Sequence, residues 1–403
     1  MKYRSTPYLR FNKFKEKWQL KVLGDLGSVA MNKRIFKEET SEIGEVPFYK
    51  IGTFGSEPDS FITRKKFEEY KSKYPYPEIG DILISASGSI GRTVEYQGEE
   101  AYFQDSNIVW LKHDERLDNS FLKQFYSIVK WQGVEGTTIK RLYNKNILET
   151  PIALPSISEQ SAIGSLFRNL DDLLASYKDN LANYQSLKMT MLSKMFPKVG
   201  QTVPEIRLDG FEGEWVEKRL KDISKRVTRK NNDLVSERAL TISAQFGLID
   251  QEEFFQKKIA SKDVSGYYLI KKGEFAYNKS YSTGYPLGAI KRLDKYENGV
   301  LSTLYILFKA IDVDSDYLAH YYESDKWHRE VSMCAAEGAR NHGLLNIAPA
   351  DFFNTRLVVP KELEEQRAIG SYFSNLDNLI NSHQEKISQL ETLKKKLLQD
   401  MFI

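Results

Sequence analysis

Two long segments of the chain carry the same apolar pattern. In each, apolar side chains recur at alternating steps of four and three residues, the heptad pattern with which two helices share a seam. A helix over residues 158–196 would be about 58 Å long at a rise of 1.5 Å per residue. The predicted seam positions are Ile163, Phe167, Leu170, Leu174, Tyr177, Leu181 and Tyr184 in the first segment and Ile369, Phe373, Leu376, Ile380, Ile387 and Leu390 in the second.

Both patterns also contain polar seam positions. Lys188 and Lys394 occupy the same place in the two segments, and His383 lies where the first segment has Tyr177. We interpret His383 as a packing residue and not as a ligand. Because one chain carries two matching seams, the pattern favours pairing of the two helices within the chain. Association of two chains through these helices is the alternative.

The two helices belong to a larger internal duplication. The sequence Glu-Gln-x-Ala-Ile-Gly-Ser begins at Glu159 and again at Glu365, which is 206 positions later. A second block repeats at an offset of 197, with Arg10, Phe14 and Trp18 matched by Arg207, Phe211 and Trp215. The long regions between these blocks have diverged. Duplication for stability alone would not explain why the helices match while the regions between them differ.

The two diverged regions predict globular domains that mix strands and helices. Short β-branched runs predict strands, and one further segment in each region predicts a helix. The predicted strands are residues 46–51, 81–86, 93–96, 108–111, 239–242, 274–278, 288–292 and 305–308, and the predicted helices are residues 119–130 and 317–330. The fold class is therefore α/β (α+β), with an internal pseudo-two-fold duplication.

These elements divide the chain into five parts. A first globular domain spans residues 1–155 and leads into a long helix over residues 156–197. A linker rich in proline and glycine follows at residues 198–205. The second globular domain spans residues 206–360, and the second long helix spans residues 361–403.

The composition is that of a globular protein, with 41% hydrophobic and 28% charged residues among 403. No run of 18 apolar residues occurs, so we expect neither a secretion signal nor a membrane span. With Cys334 as the single cysteine and five scattered histidines, we expect no metal site and a cytoplasmic location. The net charge of +3 leaves nucleic-acid binding open, because clustering of charge matters more than its sum.

Several catalytic motifs are absent from the sequence. It has no Pro-Pro dipeptide, as the Asn/Asp-Pro-Pro-aromatic loop of amino-methyltransferases requires, and no Gly-Lys dipeptide, as the P-loop requires. Gly-x-Ser-x-Gly and His-Glu-x-x-His are also missing. Asp59, Glu69 and Lys71 match the spacing of a nuclease metal site. That chemistry needs the last carboxylate and the lysine on a strand, whereas residues 65–73 predict a helix.

Polar residues suited to DNA contacts lie in loops of both diverged regions. The loop at residues 85–92 has small residues beside an arginine, which let a backbone approach a phosphate closely. A similar loop follows residue 277, and loops near residues 140 and 340 also correspond. For each residue an ordinary solvated loop is the alternative. The candidate DNA-binding residues are Lys50, Thr53, Ser87, Ser89, Arg92, Lys140, Arg141, Ser243, Gln245, Lys279, Tyr281, Arg340, Asn341 and His342.

The duplicated order of these motifs resembles the DNA specificity subunits of type I restriction-modification systems. Each half opens with the Phe-Trp block and closes with Glu-Gln-x-Ala-Ile-Gly-Ser and Asn-Leu-Asp on a long helix. The resemblance covers essentially the whole chain. It implies two target recognition domains, each of which reads one half of a bipartite DNA site. It also implies that the two helices form an antiparallel coiled coil that spaces these domains.

The resemblance further implies partners and cofactors. The helices would dock modification (methyltransferase) subunits, two in number, and restriction (endonuclease and translocase) subunits would join that core on double-stranded DNA. This chain would bind no cofactor and have no catalytic residue, whereas S-adenosylmethionine, ATP and Mg would serve the partner subunits. Two alternatives stay open: a coiled-coil scaffold without DNA sequence preference, and a single-chain DNA methyltransferase or nuclease.

Overall fold

The computed structural model describes residues 6–133, 140–243, 247–257, 263–280, 285–335 and 345–402. The chain divides into two compact units. Unit 1 comprises residues 1–178 and 385–403, and unit 2 comprises residues 179–384. Within the described ranges, no helix is both long and apolar enough to cross a membrane.

Unit 1 contains short strands around helices of moderate length, followed by the start of a long helix. The strands are β1 Gln19–Val22, β2 Gly27–Ala30, β3 Val46–Tyr49, β4 Phe61–Ile62, β5 Ile82–Ser85, β6 Thr93–Glu95, β7 Tyr102–Phe103, β8 Ile108–His113 and β9 Pro151–Leu154. The helices are α1 Arg64–Lys73, α2 Asn119–Ile128, α3 Asn144–Leu148 and the long helix α4 Ile157–Lys194, which continues into unit 2.

Unit 2 repeats this plan with its own strands and a second long helix. The strands are β10 Val216–Arg219, β11 Ser224–Val227, β12 Leu240–Ser243, β13 Gly247–Asp250, β14 Tyr268–Lys271, β15 Phe275–Asn278, β16 Ala289–Arg292, β17 Asn298–Leu301, β18 Ile306–Ala310 and β19 Arg356–Val359. The helices are α5 Leu220–Ile223, α6 Gln251–Phe255, α7 Ser315–Tyr321, α8 His328–Cys334, α9 Pro349–Asn354 and the long helix α10 Leu363–Met401, which ends in unit 1.

The sheets show the duplication in three dimensions. Unit 1 has an antiparallel sheet in the order β2-β8-β5-β6, and unit 2 has the matching order β11-β18-β15-β16. The pair β1-β9 closes the first globule, as the pair β10-β19 closes the second. The remaining sheets differ, with β4-β3-β7 in unit 1 and two separate two-stranded pairs, β12-β13 and β14-β17, in unit 2. The predicted fold class, two mixed α and β halves with two paired long helices, is confirmed.

The predicted single helix over residues 317–330 is wrong. The structure has two helices there, α7 and α8, separated by a turn. The hydroxyl of Ser324 donates to the carbonyl of Tyr321 at 2.6 Å, and the indole of Trp327 donates to the carbonyl of Tyr322 at 3.1 Å. Side chains thus take two carbonyls that a continuous helix would pair with backbone amides.

A buried glutamate joins the opening block of unit 1 to the start of α4. Glu159 is 1% exposed, and its carboxylate accepts two hydrogen bonds of 2.6 Å from Arg10 and one of 3.2 Å from the Trp18 indole. The next residue, Gln160, accepts from the Asp118 amide at 2.9 Å and so fixes the start of α2. The repeated Glu-Gln pair is therefore a structural joint.

Unit 2 builds the same joint from the second copy of each motif. Glu365 is 2% exposed and accepts from Arg207 at 2.7 and 2.8 Å and from the Trp215 indole at 3.2 Å. Gln366 accepts from the amide of Asp314 at 2.8 Å. A buried carboxylate is tolerated only when it is paired and hydrogen-bonded, and both copies meet that requirement in the same way.

Each unit pairs the start of one long helix with the end of the other. In unit 1, the Phe402 ring at the end of α10 stacks on Phe121 with 5.1 Å between centroids and lies 6.2 Å from Phe167. In unit 2, the Phe196 ring after α4 stacks on Phe373 with 5.9 Å between centroids. The two helices therefore run antiparallel where they pair.

The predicted seam positions lie on the packed side of both helices. All of them are buried or partly buried, and exposed residues occupy most other helix positions. The two seam lysines bind reciprocally: Lys394 pairs with Asp171 in unit 1, and Lys188 pairs with Asp377 at 2.6 Å in unit 2. Each aspartate is the last residue of an Asn-Leu-Asp motif on the other helix.

A glycine on each long helix allows a second helix to approach closely. A Cβ atom at Gly164 would lie 1.8 Å from the Ser120 hydroxyl and 3.0 Å from the Ser120 backbone, and one at Gly370 would lie 2.8 Å from the Tyr317 amide. The start of α2 or α7 therefore packs against the helix backbone itself. The glycines of the repeated Ala-Ile-Gly-Ser sequence keep this space open.

We predict that Gly164→Ala destabilises the protein despite the better helix propensity of alanine. Helix propensity favours alanine over glycine by about 1 kcal/mol. Overpacking costs about 1–3 kcal/mol, and here the added methyl group would clash with the backbone of Ser120 as well as its side chain. The free energy of unfolding, measured with urea, checks this. The matched control is Gly52→Ala, where a Cβ meets nothing within 4 Å, and it should change stability by less than about 0.5 kcal/mol. Equal stability of G164A and wild type would contradict the close approach.

A partly exposed charge cluster in unit 2 predicts a pH-dependent contribution to stability. Glu323 accepts from Lys188 at 2.7 Å and from His320 at 3.1 Å, with Lys291 at 3.6 Å. Burial alone would raise the pKa of Glu323, but these donors and charges outweigh it and lower the pKa. A lowered folded-state pKa means that ionised Glu323 stabilises the fold above the unfolded pKa, about 4.3. This contribution is lost as the pH falls toward the folded value.

Because Glu323 is partly exposed and solvent screens its ion pairs, we therefore expect Glu323→Gln to lower the free energy of unfolding by about 1 kcal/mol at pH 7. The gap to wild type should narrow below about pH 4.3. Chemical unfolding followed by circular dichroism at a series of pH values measures both effects. Asp325→Asn is the control, since that side chain is 73% exposed and its removal should matter little. A gap that does not change with pH would show that Glu323 acts by packing alone.

Candidate nucleic-acid interface

The predicted phosphate-binding loop of unit 1 is a tight turn closed by Ser85. The Ser85 hydroxyl donates to the carbonyl of Ser89 and accepts from the amide of Arg92 at 2.9 Å. Gly88 and Gly91 have φ of +67° and +83°, a conformation that favours glycine. This geometry leaves the Ser89 and Arg92 side chains exposed.

Three predicted loops of unit 1 are joined by direct contacts. Ser87 forms a β-bridge with Arg141, which links the loop at residues 85–92 to the segment that follows α2. The Arg92 guanidinium lies 3.5 Å from the carbonyl of Gly55, next to the turn that holds Lys50 and Thr53. All seven candidate residues of unit 1 lie on these three segments.

A fourth loop, between β7 and β8, holds these segments in place, and its residues were not predicted. The Gln104 side chain accepts from the Ile51 amide at 3.0 Å, and the Asn107 side chain accepts from the Ser87 hydroxyl at 2.7 Å. The side-chain amides of Gln104 and Asn107 therefore hold the loops together. Nothing in the local sequence distinguishes them from ordinary loop residues, because their partners are 20 or more positions away.

Arg34 is a further basic residue that sequence reasoning missed. Its guanidinium pairs with Asp105, in the loop between β7 and β8, at 2.9 Å and is 59% exposed. The adjacent pair Lys33-Arg34 after β2 was the available signal. Like Arg92, Lys140 and Arg141, Arg34 is exposed, and its partner Asp105 lies in the loop that also carries Gln104 and Asn107.

The candidate residues of unit 1 differ in what they offer to a ligand. Lys140 and Arg141 are exposed, and in the described part of the chain no carboxylate pairs with them. Lys50 pairs with Asp59 at 2.9 Å, and the Thr53 hydroxyl closes a turn on the Lys50 backbone at 3.1 Å. Ser87 is only 4% exposed, with its hydroxyl on Asn107. Ser87 therefore positions the loop in this structure.

The structure describes two of the seven candidate residues of unit 2, Ser243 and Lys279. Ser243 is buried at the end of β12, and Lys279 is partly buried with its ammonium 3.2 Å from the carbonyl of Ile347. Burial lowers the pKa of Lys279. The Lys279 carbonyl accepts from the amide of Leu345 at 3.0 Å, a backbone contact that parallels the Ser87–Arg141 bridge. Outside the described residues lie Gln245, Tyr281, Arg340, Asn341 and His342.

The nuclease-like pattern does not assemble into a metal site among the described residues. Glu69 lies on α1 and pairs with Lys73 at 3.1 Å, whereas Asp59 pairs with Lys50. The group of potential metal ligands that the described ranges do bring together is His320, Glu323 and Asp377. The ammonium of Lys188 lies 2.7 and 2.6 Å from the two carboxylates, so a lysine supplies the cation there.

Comparison with known proteins relates the chain to one family. Residues 15–184 match the family model "Type I restriction modification DNA specificity domain". The chain is 53% identical over 160 residues to a putative type I restriction enzyme specificity subunit of Haemophilus influenzae, S.HindORF215P. This match covers 40% of the chain and 42% of that relative, so the chain spans less than half of that relative's length.

Two other similarities extend over more of the chain. The MjaVIII type I restriction enzyme specificity subunit of Methanocaldococcus jannaschii is 22% identical over 333 residues, which cover 79% of this chain and 74% of that protein. The crystal structure of a type I restriction-modification S subunit from M. genitalium superposes with a TM-score of 0.60 at 17% identity, over 99% of both chains. The chain is therefore similar to type I restriction-modification DNA specificity subunits, in its sequence over residues 15–184 and in its fold over the whole length.

Proposed function

We propose that the chain reads a bipartite DNA target, with one half-site for each globule, and directs a type I restriction-modification complex to it. One observation carries the proposal: in unit 1, loops from distant parts of the sequence meet and present Arg34, Arg92, Lys140 and Arg141 from neighbouring segments. Exposed guanidinium and ammonium groups bind DNA phosphates, and arginine also binds the edge of guanine.

The loops suit DNA reading better than a catalytic role. Hydrogen bonds from the side chains of Gln104 and Asn107 hold these loops together, so the exposed side chains project from a fixed backbone. We infer that Ser89, Lys140 and Arg92 position the duplex through phosphates and that Arg141 reads a base. In unit 2, Lys279 and the candidate residues near 340 would serve the second half-site.

The duplicated plan supports independent recognition of one half-site by each globule. Repeated residues such as Glu159 and Glu365 build the joint with the helices, whereas the loops have diverged. We infer that each globule is an independent recognition domain and that the paired helices set the spacing of the two half-sites. This arrangement distinguishes the proposal from a scaffold that binds only protein, which would have no sequence preference.

We further propose that catalysis belongs to partner subunits. Modification subunits would dock on this chain and use S-adenosylmethionine, and restriction subunits would cleave DNA with ATP and Mg. The match of residues 15–184 to the family model and the missing methyltransferase and P-loop motifs support this division. A single-chain methyltransferase is the competing function, and transfer of a labelled methyl group by the isolated chain would establish it.

Replacement of one globule tests the proposal. We expect that exchange of residues 20–150 for the corresponding domain of another specificity subunit changes one half of the methylated motif and keeps the other. Base-resolution methylation mapping of cells that carry the native gene, the exchanged gene or a deletion measures this. The deletion controls for unrelated methyltransferases. A change in both half-sites would contradict independent reading, and a deletion that removes no bipartite methylated motif would contradict the proposal itself.

Alanine substitutions in unit 1 separate base reading from phosphate binding. Arg141→Ala should cost about 1–3 kcal/mol for the correct site and relax preference at one position. Lys140→Ala should weaken all sequences alike and lower the salt slope by about 1. Fluorescence anisotropy of the assembled complex with target and random duplexes measures both. Lys17→Ala, an exposed lysine of the opening block, is the control. Unchanged binding by R141A and K140A would remove these loops from the interface.

A further inference from the structure

The loop between β7 and β8 of unit 1 has a fixed backbone. Its tip, Ser106, is exposed and has a φ of +59°, a conformation that a residue other than glycine keeps only where its surroundings hold it. The backbone amide of Gln104 donates to the carbonyl of Tyr49 at 2.9 Å, and the carbonyl of Asn107 accepts from the amide of Ala86 at 2.7 Å. The side chains of this loop therefore start from defined positions.

The two amide side chains of the loop are oriented by their oxygens. The oxygen of Gln104 accepts from the Ile51 backbone amide at 3.0 Å, and the oxygen of Asn107 accepts from the Ser87 hydroxyl at 2.7 Å. A side-chain amide carries an NH2 group with two donors beside its oxygen. Because the protein occupies each oxygen, the NH2 group is the part of each side chain that is left to bind a ligand.

Both NH2 groups are accessible. Among the described residues, no acceptor pairs with the side-chain nitrogen of Gln104 or of Asn107. The buried side-chain polar atoms without a partner in the described part of the chain are the hydroxyls of Tyr126 and Tyr322. The two amide nitrogens are not among them, so both reach solvent with their hydrogens unpaired.

The carboxylate of the loop is also occupied. Asp105 accepts from the guanidinium of Arg34 at 2.9 Å and from the Ser106 hydroxyl at 3.2 Å. The Asp105 side chain is 14% exposed, whereas that of Arg34 is 59% exposed. The sequence Gln-Asp-Ser-Asn contains as many acceptors as donors, but folding uses the acceptors of the first, second and fourth residues internally. The loop therefore offers mainly hydrogen-bond donors to a ligand.

We propose that this loop reads a guanine in the half-site of unit 1, with the NH2 groups of Gln104 and Asn107 as donors to N7 and O6. The inference rests on the proposed function and names the base for one part of its site. In the major groove guanine presents two acceptors, whereas adenine combines an acceptor with a donor and cytosine presents a donor. An amide reads adenine through its oxygen and its NH2 group together, and here the oxygens are occupied.

Isosteric substitutions in the assembled complex test the contact. Gln104→Glu and Asn107→Asp keep the oxygen that accepts within the protein and replace only the NH2 group by an acceptor. Each should reduce the ratio of target to random-duplex affinity at least about tenfold, as measured by fluorescence anisotropy. Gln97→Glu is the matched control: it makes the same charge change at an exposed side chain beyond the opposite end of β6 from Arg92, and its ratio should stay within about twofold.

A change in the DNA tests the same contact from the other side. 7-Deazaguanine has a C–H group in place of N7 and still pairs with cytosine. Placed at each guanine of the unit 1 half-site in turn, it should weaken wild-type binding about tenfold at one position. At that position the Gln104→Glu or the Asn107→Asp variant should lose no more than about twofold, because the contact is already absent. Thermal unfolding verifies that the variants fold, and the wild-type measurement does not depend on them.

The possible outcomes separate this inference from the proposed function. Exchange of the first globule identifies the half-site of unit 1, and a half-site without a G·C pair would overturn the inference. It is also overturned if 7-deazaguanine has no effect at any position. Losses in both variants that are absent, or equal for target and random duplexes, would place the amides away from the bases and have the same consequence. If the wild-type complex does not prefer its target to random DNA, the proposed function fails and the inference falls with it.

Discussion

The end of each long helix is buried against the globule that leads into the other long helix, and the rest of the structure depends on this exchange. Phe402 packs on Phe121 in unit 1, and Phe196 packs on Tyr317 and Phe373 in unit 2. Burial of one such ring contributes about 1.5–3 kcal/mol. Because each globule needs a helix end supplied by the other half, the two ends have to be alike, and the repeated Met-Phe sequence meets that requirement.

The residues that match between the halves are those that connect each globule to the long helices. The residues that differ lie outside these contacts. Glu159 and Glu365 each bind an arginine and a tryptophan from the opening block, and Gly164 and Gly370 each admit a neighbouring helix. A substitution at any of these positions leaves a buried charge unpaired or creates a clash. The loops that face solvent in each globule have no such requirement, so recognition can change while the frame stays the same.

The long helices could be predicted closely, since residues 158–196 were expected and Ile157–Lys194 is observed. A heptad pattern sustained over many turns depends on local periodicity alone. The role of Glu159 could not be predicted, because its partner Arg10 lies 149 positions away. The helix predicted over residues 317–330 failed because side chains of the turn take backbone carbonyls. In the candidate site, the burial of Ser87 could not be predicted, because it depends on its tertiary partner Asn107.

The exchange of helix ends also sets an order of folding during synthesis. Unit 2 consists of residues 179–384 only, so its parts have all been made once the ribosome has passed residue 384. Unit 1 needs residues 385–402 as well, although most of it is synthesised first. Its core around Phe121 and Phe167 therefore stays incomplete until the second half has been translated. Domains usually fold from the N-terminus onward during translation, and here the first globule is the last to be completed.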